Sequence, residues 1–296
     1  MITRTQSGFF TVETEHGTYV CGLRGRLKKG RRQGDVAAVG DWVEITPLES
    51  REGVIEEVEP RQRMFSRLAP NPRGEYRQIL IANPDQVVLV FSCAEPAPRF
   101  GMLDRFLVIS EKHGVPAIIV ANKVDLVGLE EAKNLYGHYP ALGYPVIYTS
   151  VRQGLGVDEL HAHLISKMSL FTGPSGVGKS SLLNAIQPGL GQAVRQVSQA
   201  TSKGRHTTVV RELFRLAEGG YVADTPGLKA LAFWDIEPEE LDGYFPELRP
   251  LVHRCQFSNC THEHEPGCAV REQVQKGLVH PERYHSYLRM RFGDEE

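Results

Sequence analysis

The sequence predicts a multidomain chain: an all-β barrel, an α/β domain on a parallel sheet, and a small C-terminal unit organised by metal. Three observations carry this. Residues 8–68 consist of short alternating runs broken by glycines, the pattern of strands joined by tight turns. From residue 86 apolar strands alternate with amphipathic helices, which calls for a parallel sheet covered on both faces. After about residue 233 that rhythm gives way to Pro, Cys and His, and three of the five cysteines fall within residues 255–268.

In the first part the predicted strands are GFFTVET, TYVCGLRG, DWVEITPL and GVIEEVEP, with turns at His16-Gly17, Gly40-Asp41 and Glu52-Gly53, an antiparallel arrangement. Residues 76–85, with Asn83-Pro84, read as the connection to the second part. There QVVLVFS is a strand, GMLDRFLVISEKHG a helix, VPAIIVA a strand, GLEEAKNLYGHY a helix, YPVIYTS a strand, and VDELHAHLISK a helix leading into the strand MSLFTG. A last helix begins at Pro281. The expected domains are residues 1–70, 71–233 and 234–296.

A content of 41% hydrophobic and 24% charged residues is that of an ordinary globular protein. The net charge of −2 gives no global attraction to polyanions, so any nucleic-acid contact has to come from a local basic cluster. No apolar run approaches the roughly 20 residues that span a bilayer. The start MITRTQSGFF has neither an apolar core segment nor a cleavage site. The expected location is the cytoplasm, where crowded cysteines point to metal rather than disulfides.

GPSGVGKS, residues 173–180, fits G-x-x-x-x-G-K-[ST] and lies between the apolar SLF and the helical SLLNAI, the context a phosphate-binding loop needs. The candidate contacts are Gly173, Pro174, Ser175, Gly176, Val177, Gly178, Lys179, Ser180 and Ser181. The glycines let the loop curl so that backbone N–H groups face phosphates, Lys179 supplies a point charge, and the Ser180 hydroxyl can ligate Mg²⁺. Further on, YVADTPG ends an apolar strand in Asp-x-x-Gly. Asp224 there would hold the magnesium water shell, and the Gly227 N–H would reach the γ-phosphate. Between the two lies SKGRHTT, where either Thr207 or Thr208 can complete the magnesium shell.

VANKVDL, residues 120–126, follows an apolar strand as a base-reading loop does. The Asp125 carboxylate can accept two hydrogen bonds from guanine, a pattern adenine does not offer. Asn122 can order the loop and meet the base edge, the stem of Lys123 can cover the ring, and the end of the next strand, Ser150-Val151, can bring a backbone N–H to the guanine oxygen. This loop precedes the phosphate loop, the reverse of the usual order. Written cyclically from SLFTG, the elements run in the complete order of a Ras-like GTP-binding domain. Circular permutation accounts for the inversion, since surface-lying termini tolerate rejoining.

With NKVD at 122–125, GPSGVGKS at 173–180, GRHTT at 204–208, DTPG at 224–227 and a Cys/His cluster, the chain resembles the circularly permuted RsgA (YjeQ) family over essentially its full length. The resemblance implies an OB-fold at the N-terminus, a permuted P-loop GTPase domain, a zinc-binding C-terminal domain, and a ribosome-associated GTPase in late maturation of the small (30S) subunit, bound to its 16S rRNA. GTP or GDP, Mg²⁺ and one structural Zn²⁺ are the expected cofactors, and a monomer the expected state in isolation.

CQFSNCTHEHEPGC offers Cys255, Cys260 and Cys268 with a histidine, a donor set for a closed tetrahedral Zn²⁺ site. His264 competes for the imidazole position, and the family pattern favours His262. Cys21 and Cys93 lie in strand-like runs and read as buried small apolar side chains. Ras-like enzymes orient the attacking water with a glutamine just after DxxG. Leu228 stands there and cannot do so; His206, in the switch loop, is the nearest candidate, and the resemblance points the same way. Finally, Arg24, Arg26, Lys28, Lys29, Arg31 and Arg32 put six positive charges in nine residues. Of these, Lys28, Lys29, Arg31 and Arg32 are the expected contacts to rRNA phosphates.

Overall fold

The computed structural model describes residues 1–28, 34–69, 76–202, 211–224 and 236–293. The N-terminal sheet contains β1 (Ile2–Gln6), β2 (Phe9–Thr14), β3 (Gly17–Leu23), β4 (Val43–Pro47) and β5 (Glu52–Val58). β1, β2 and β3 pair antiparallel in sequence, as do β4 and β5. β3 and β5, however, pair parallel, Cys21 opposite Gly53. The expectation of an antiparallel barrel is corrected there: the chain leaves β3 and returns on its far side, a crossover that alternation within single strands cannot reveal. Gly53 is needed at this crossing, because a Cβ would come within 2.9 Å of the Cys21 sulfur.

β6 (Met64–Ala69) and β7 (Tyr76–Ala82) form an antiparallel pair of their own. Residues 76–82 were expected to be a plain connection. They form a strand because its second half, Ile79 to Ala82, is buried against neighbouring apolar side chains. The ladder straddles the expected boundary at residue 70.

The central sheet is built from β8 (Gln86–Ser92), β9 (Ala117–Asn122), β10 (Val146–Thr149), β11 (Met168–Thr172), β13 (Phe214–Arg215) and β14 (Tyr221–Asp224), in the order β10-β9-β8-β11-β14-β13. All neighbours pair parallel except the edge strand β13, which is antiparallel to β14. β8, β9 and β11 are buried on both faces, as their unbroken apolar runs require. The helices α1 (Phe100–His113), α2 (Leu129–Tyr136), α3 (Val157–Leu164), α4 (Lys179–Ile186) and α5 (Leu190–Ser202) connect and cover them. One face shares a continuous core with the barrel, in which Ile2, Phe10 and Ile55 join Leu89, Phe91 and Leu103.

Residues 211–215 tie the two sheets together. β12 (Arg211–Glu212) pairs with β1, Glu212 opposite Arg4, and the Leu213 N–H donates to the Thr3 carbonyl at 2.7 Å. The chain then runs straight into β13. Glu13 in β2 accepts from Arg215 at 2.8 Å and from the Tyr221 hydroxyl at 3.0 Å. Residues 211–215 thus form a strand of the barrel sheet and of the central sheet at once.

The C-terminal part has α6 (Arg249–Val252), α7 (Ala269–Gln275) and α8 (Pro281–Phe292), preceded by a 3-10 stretch, Pro238–Tyr244. Its own core of Leu241, Phe245, Leu248, Val270 and Tyr287 takes in Val108 of α1. Beneath that contact Arg283 is fully buried. It donates to Asp104 of α1 at 2.7 Å and to both oxygens of Glu247 at 2.7 and 3.2 Å, while the Tyr139 hydroxyl donates to Asp104 at 2.9 Å.

Candidate nucleotide and metal sites

Because β8, β9, β10, β11 and β14 are parallel, their C-terminal ends lie along one edge of the sheet, the edge where open α/β sheets bind ligands. That edge collects Asn122, Thr149, Thr172 and the backbone of Asp224. The phosphate-type loop leaves β11 and enters α4 at Lys179. Gly173 sits at φ 143°, where a Cβ would lie 2.0 Å from the Val90 carbonyl oxygen, and Gly178 at φ 98°, where it would lie 2.4 Å from Asn122 Nδ2. No other residue type fits either place. Val177 anchors the loop in the core, while Ser175, Gly176 and Ser181 are exposed and Pro174 is buried. Lys179 Nζ donates to the Gly173 and Pro174 carbonyls, both at 2.8 Å, and so lies over the loop. Lys179 and Ser180 open α4, where free N–H groups and the helix dipole favour an anion.

The base-type loop is locked to this phosphate-type loop. The Asn122 Nδ2 donates to the Val177 carbonyl at 2.7 Å, and its Oδ1 accepts from Thr149 at 2.9 Å. Asn122 is 2% exposed with both ends of its amide occupied. The two bonds give Asn122 its ordering role, and they use only one of the two hydrogens on its amide nitrogen, so they leave a donor for the expected contact with a base edge. Lys123 adopts a left-handed backbone, and its ammonium donates to the Glu95 carbonyl. Asp125 accepts from the Ser150 hydroxyl at 2.6 Å and lies 3.8 Å from the exposed Arg152 guanidinium. Ser150 is buried, held by two backbone bonds with Leu155, and Val151 follows at the rim. Sequence reasoning missed Thr149, Glu95 and Arg152. Thr149 and Arg152 flank Ser150-Val151 and lay within reach of that motif, whereas Glu95 stands in none.

Cys93, behind the base-type loop, is buried, and burial with the nearby Asp125 charge pushes its thiol up to about 11. Burial likewise raises the Cys21 thiol. Both remain neutral apolar groups, as read from the sequence. His206, Thr207, Thr208, Gly227, Lys29, Arg31 and Arg32 lie outside the described residues, as do the side chains of Asp224 and Lys28.

In the C-terminal part the candidate metal ligands come together. The three thiol sulfurs of Cys255, Cys260 and Cys268 and a ring nitrogen of His262 all lie within 4.8 Å of one another, and His262 is fully buried. His264 stays outside, exposed and paired with Glu263. Three thiolates and an imidazole at this spacing fit a tetrahedral zinc with ~2.3 Å Zn–S bonds. Burial pushes the Cys260 thiol up to about 12 and raises the Cys268 thiol as well. Metal uptake would accordingly release protons.

The comparisons with known proteins agree with this layout. The RsgA N-terminal domain model matches residues 1–55, and the RsgA GTPase model matches residues 58–234. The chain belongs to the RsgA GTPase family. Among RsgA relatives, the small ribosomal subunit biogenesis GTPase RsgA of Gemmatimonas aurantiaca is 44% identical, covering 98% of this chain and 95% of its own. That of Moorella thermoacetica is 45% identical over 96% and 93%. Two solved structures share the fold along nearly the whole length. YjeQ from Thermotoga maritima has 36% identity, covers 99% of this chain and 96% of its own, and superposes with a TM-score of 0.78. YloQ, described as a circularly permuted GTPase, has 32% identity, covers 99% and 93%, and gives a TM-score of 0.74. Among the described residues no helix is long and apolar enough to cross a membrane.

Proposed function

We propose that this GTPase hydrolyses GTP to GDP and phosphate as a timed step in late maturation of the small (30S) ribosomal subunit, bound through 16S rRNA and working as a cytoplasmic monomer. The observation that carries the nucleotide reading is the Asn122–Val177 hydrogen bond of 2.7 Å. It joins a base-type loop and a phosphate-type loop that stand in inverted order along the chain, and so reassembles one site from permuted parts.

In that site Asp125 reads guanine, with its carboxylate oriented by the Ser150 hydroxyl. Lys123 lies along the base face, the backbone at Ser150-Val151 meets the guanine oxygen, and the loop of residues 173–181 cradles the phosphates. Bound Mg²⁺ would neutralise charge developing on the outer phosphate oxygens. Ser180, one of Thr207 and Thr208, and Asp224 through water are the residues that would hold it. The Gly227 N–H reaches the γ-phosphate. His206 orients the attacking water, since Leu228 has no group for that task.

The three-part division assigns residues 1–70 to RNA contact, 71–233 to the nucleotide and 234–296 to the zinc-organised unit. Both flanking parts are joined to the switch elements: the barrel through the strand 211–215, the C-terminal unit through the chain that follows Asp224. Affinity for isolated small subunits should therefore be higher with a non-hydrolysable GTP analogue than with GDP. It should also fall linearly on a log scale with salt. Replacing Lys28, Lys29, Arg31 and Arg32 by alanine should flatten that salt slope by up to about 3 if all four meet phosphates. Sedimentation of the chain with purified subunits measures all three. Equal affinity in both nucleotide states sinks the coupling, and an unchanged salt slope sinks the basic loop.

A further inference from the structure

The two nitrogens of the His262 ring face different partners. Nδ1 lies 3.6 Å from the Cys255 sulfur and 3.4 Å from the Cys268 sulfur. Nε2 points the other way and lies 3.2 Å from an Asp242 carboxylate oxygen. Asp242 sits in the 3-10 stretch Pro238–Tyr244, which packs on α8, and its side chain is 14% exposed. The backbone around His262 is held independently: the Tyr284 hydroxyl donates to the His262 carbonyl at 2.6 Å, and Tyr287 donates to the Thr261 carbonyl at 3.1 Å. His262 itself is at φ 64°, a left-handed conformation rare for a side chain that is not glycine. The chain therefore presents the ring in one orientation, Nδ1 toward the sulfurs and Nε2 toward a carboxylate.

An imidazole that ligates a cation through one nitrogen carries its proton on the other. A carboxylate accepting that proton's hydrogen bond fixes the tautomer, stops the ring from turning, and strengthens the nitrogen as a ligand. We propose that Asp242 is the positioning residue of the zinc site, holding His262 so that Nδ1 is its ligand atom. The proposal rests on the zinc reading of the Cys255, Cys260, His262, Cys268 cluster. It adds a consequence that the cluster alone does not give: the stretch Pro238–Tyr244 enters the chain between β14 and the metal ligands, so zinc binding and the docking of that stretch favour one another.

The test uses the full-length chain, loaded with zinc, beside Asp242→Asn and Asp242→Ala. Zinc content and affinity are measured by chelator competition, and the ligating nitrogen by long-range ¹H–¹⁵N correlation of the histidine ring. The parent should hold zinc through Nδ1. Asp242→Ala should bind it about 10–100-fold more weakly, and Asp242→Asn, which keeps a neutral acceptor of the same shape, should lie between. The asparagine variant preserves the packing, so a graded loss separates positioning of the ligand from a fold that has merely been damaged. Equal affinity in all three proteins, or an imidazole ligated through Nε2 in the parent, overturns the role of Asp242 while leaving the zinc site standing. A parent chain that takes up no zinc overturns both.

Discussion

Asp125→Asn should turn a guanine site into a xanthine site. The carboxylate is placed by the Ser150 hydroxyl at 2.6 Å on one oxygen, and Asn keeps an oxygen able to accept that bond. What changes is the edge offered to the base. Two donors on guanine match two carboxylate lone pairs, whereas xanthine presents one donor and one carbonyl, the complement of an amide. The amide oxygen still accepts from one guanine donor while the other is left facing an NH2 group, a loss of roughly 1–3 kcal/mol that should weaken GTP about 5–150-fold. Xanthosine triphosphate should bind the variant better than GTP does. Displacement of a fluorescent guanine nucleotide by GTP, ATP and xanthosine triphosphate measures this, and an unchanged base order would remove Asp125 from the base-reading role.

Arg283→Met should loosen the C-terminal unit from the nucleotide domain. Burial opposes the charge on Arg283, but the facing carboxylates of Asp104 and Glu247 raise its pKa overall, so the guanidinium is fixed as a cation between two acids. Methionine fills much of the volume and leaves those acids without their cation, Asp104 keeping only neutral donors such as the Tyr139 hydroxyl. Removing one member of a buried ionic set costs about 3–5 kcal/mol, far more than an exposed pair such as Arg249 and Glu111 on the rim of the same contact. Chemical unfolding should show that loss, and limited proteolysis should cut the chain near residue 236 sooner. GTP affinity should change little, because none of the three residues reaches the nucleotide edge. A variant as stable as the parent would mean that the apolar contact of Val108 with the C-terminal core holds the two parts together unaided.

The features legible in the sequence are those whose chemistry is local. Residues 173–180, residues 122–125 and the cysteine cluster each carry their ligand groups within one loop, so spacing alone exposes them. The unreadable features are pairings between distant segments. Arg283 and Asp104 are 179 positions apart, and neither stands in a motif. Asp242 lies 20 positions before His262 in a stretch with no metal-binding spacing. The parallel pairing of β3 with β5 and the double pairing of residues 211–215 are decided by where strands meet, which alternation does not encode. β1 went unread because ITRTQ is mostly polar, and Ile2 is its one fully buried apolar side chain. α5 escaped because its buried stripe rests on Leu190 and Val194 amid polar residues.

GTP turnover by this chain should be slow alone and driven by the small ribosomal subunit. Single-turnover hydrolysis of radiolabelled GTP, with and without purified small subunits and with large subunits as control, tests it most directly. The intrinsic rate should be low, because Leu228 cannot orient water. Small subunits alone should stimulate it, and His206→Ala should lose the stimulated part while retaining GTP binding. A rate that is the same with and without small subunits would contradict that dependence.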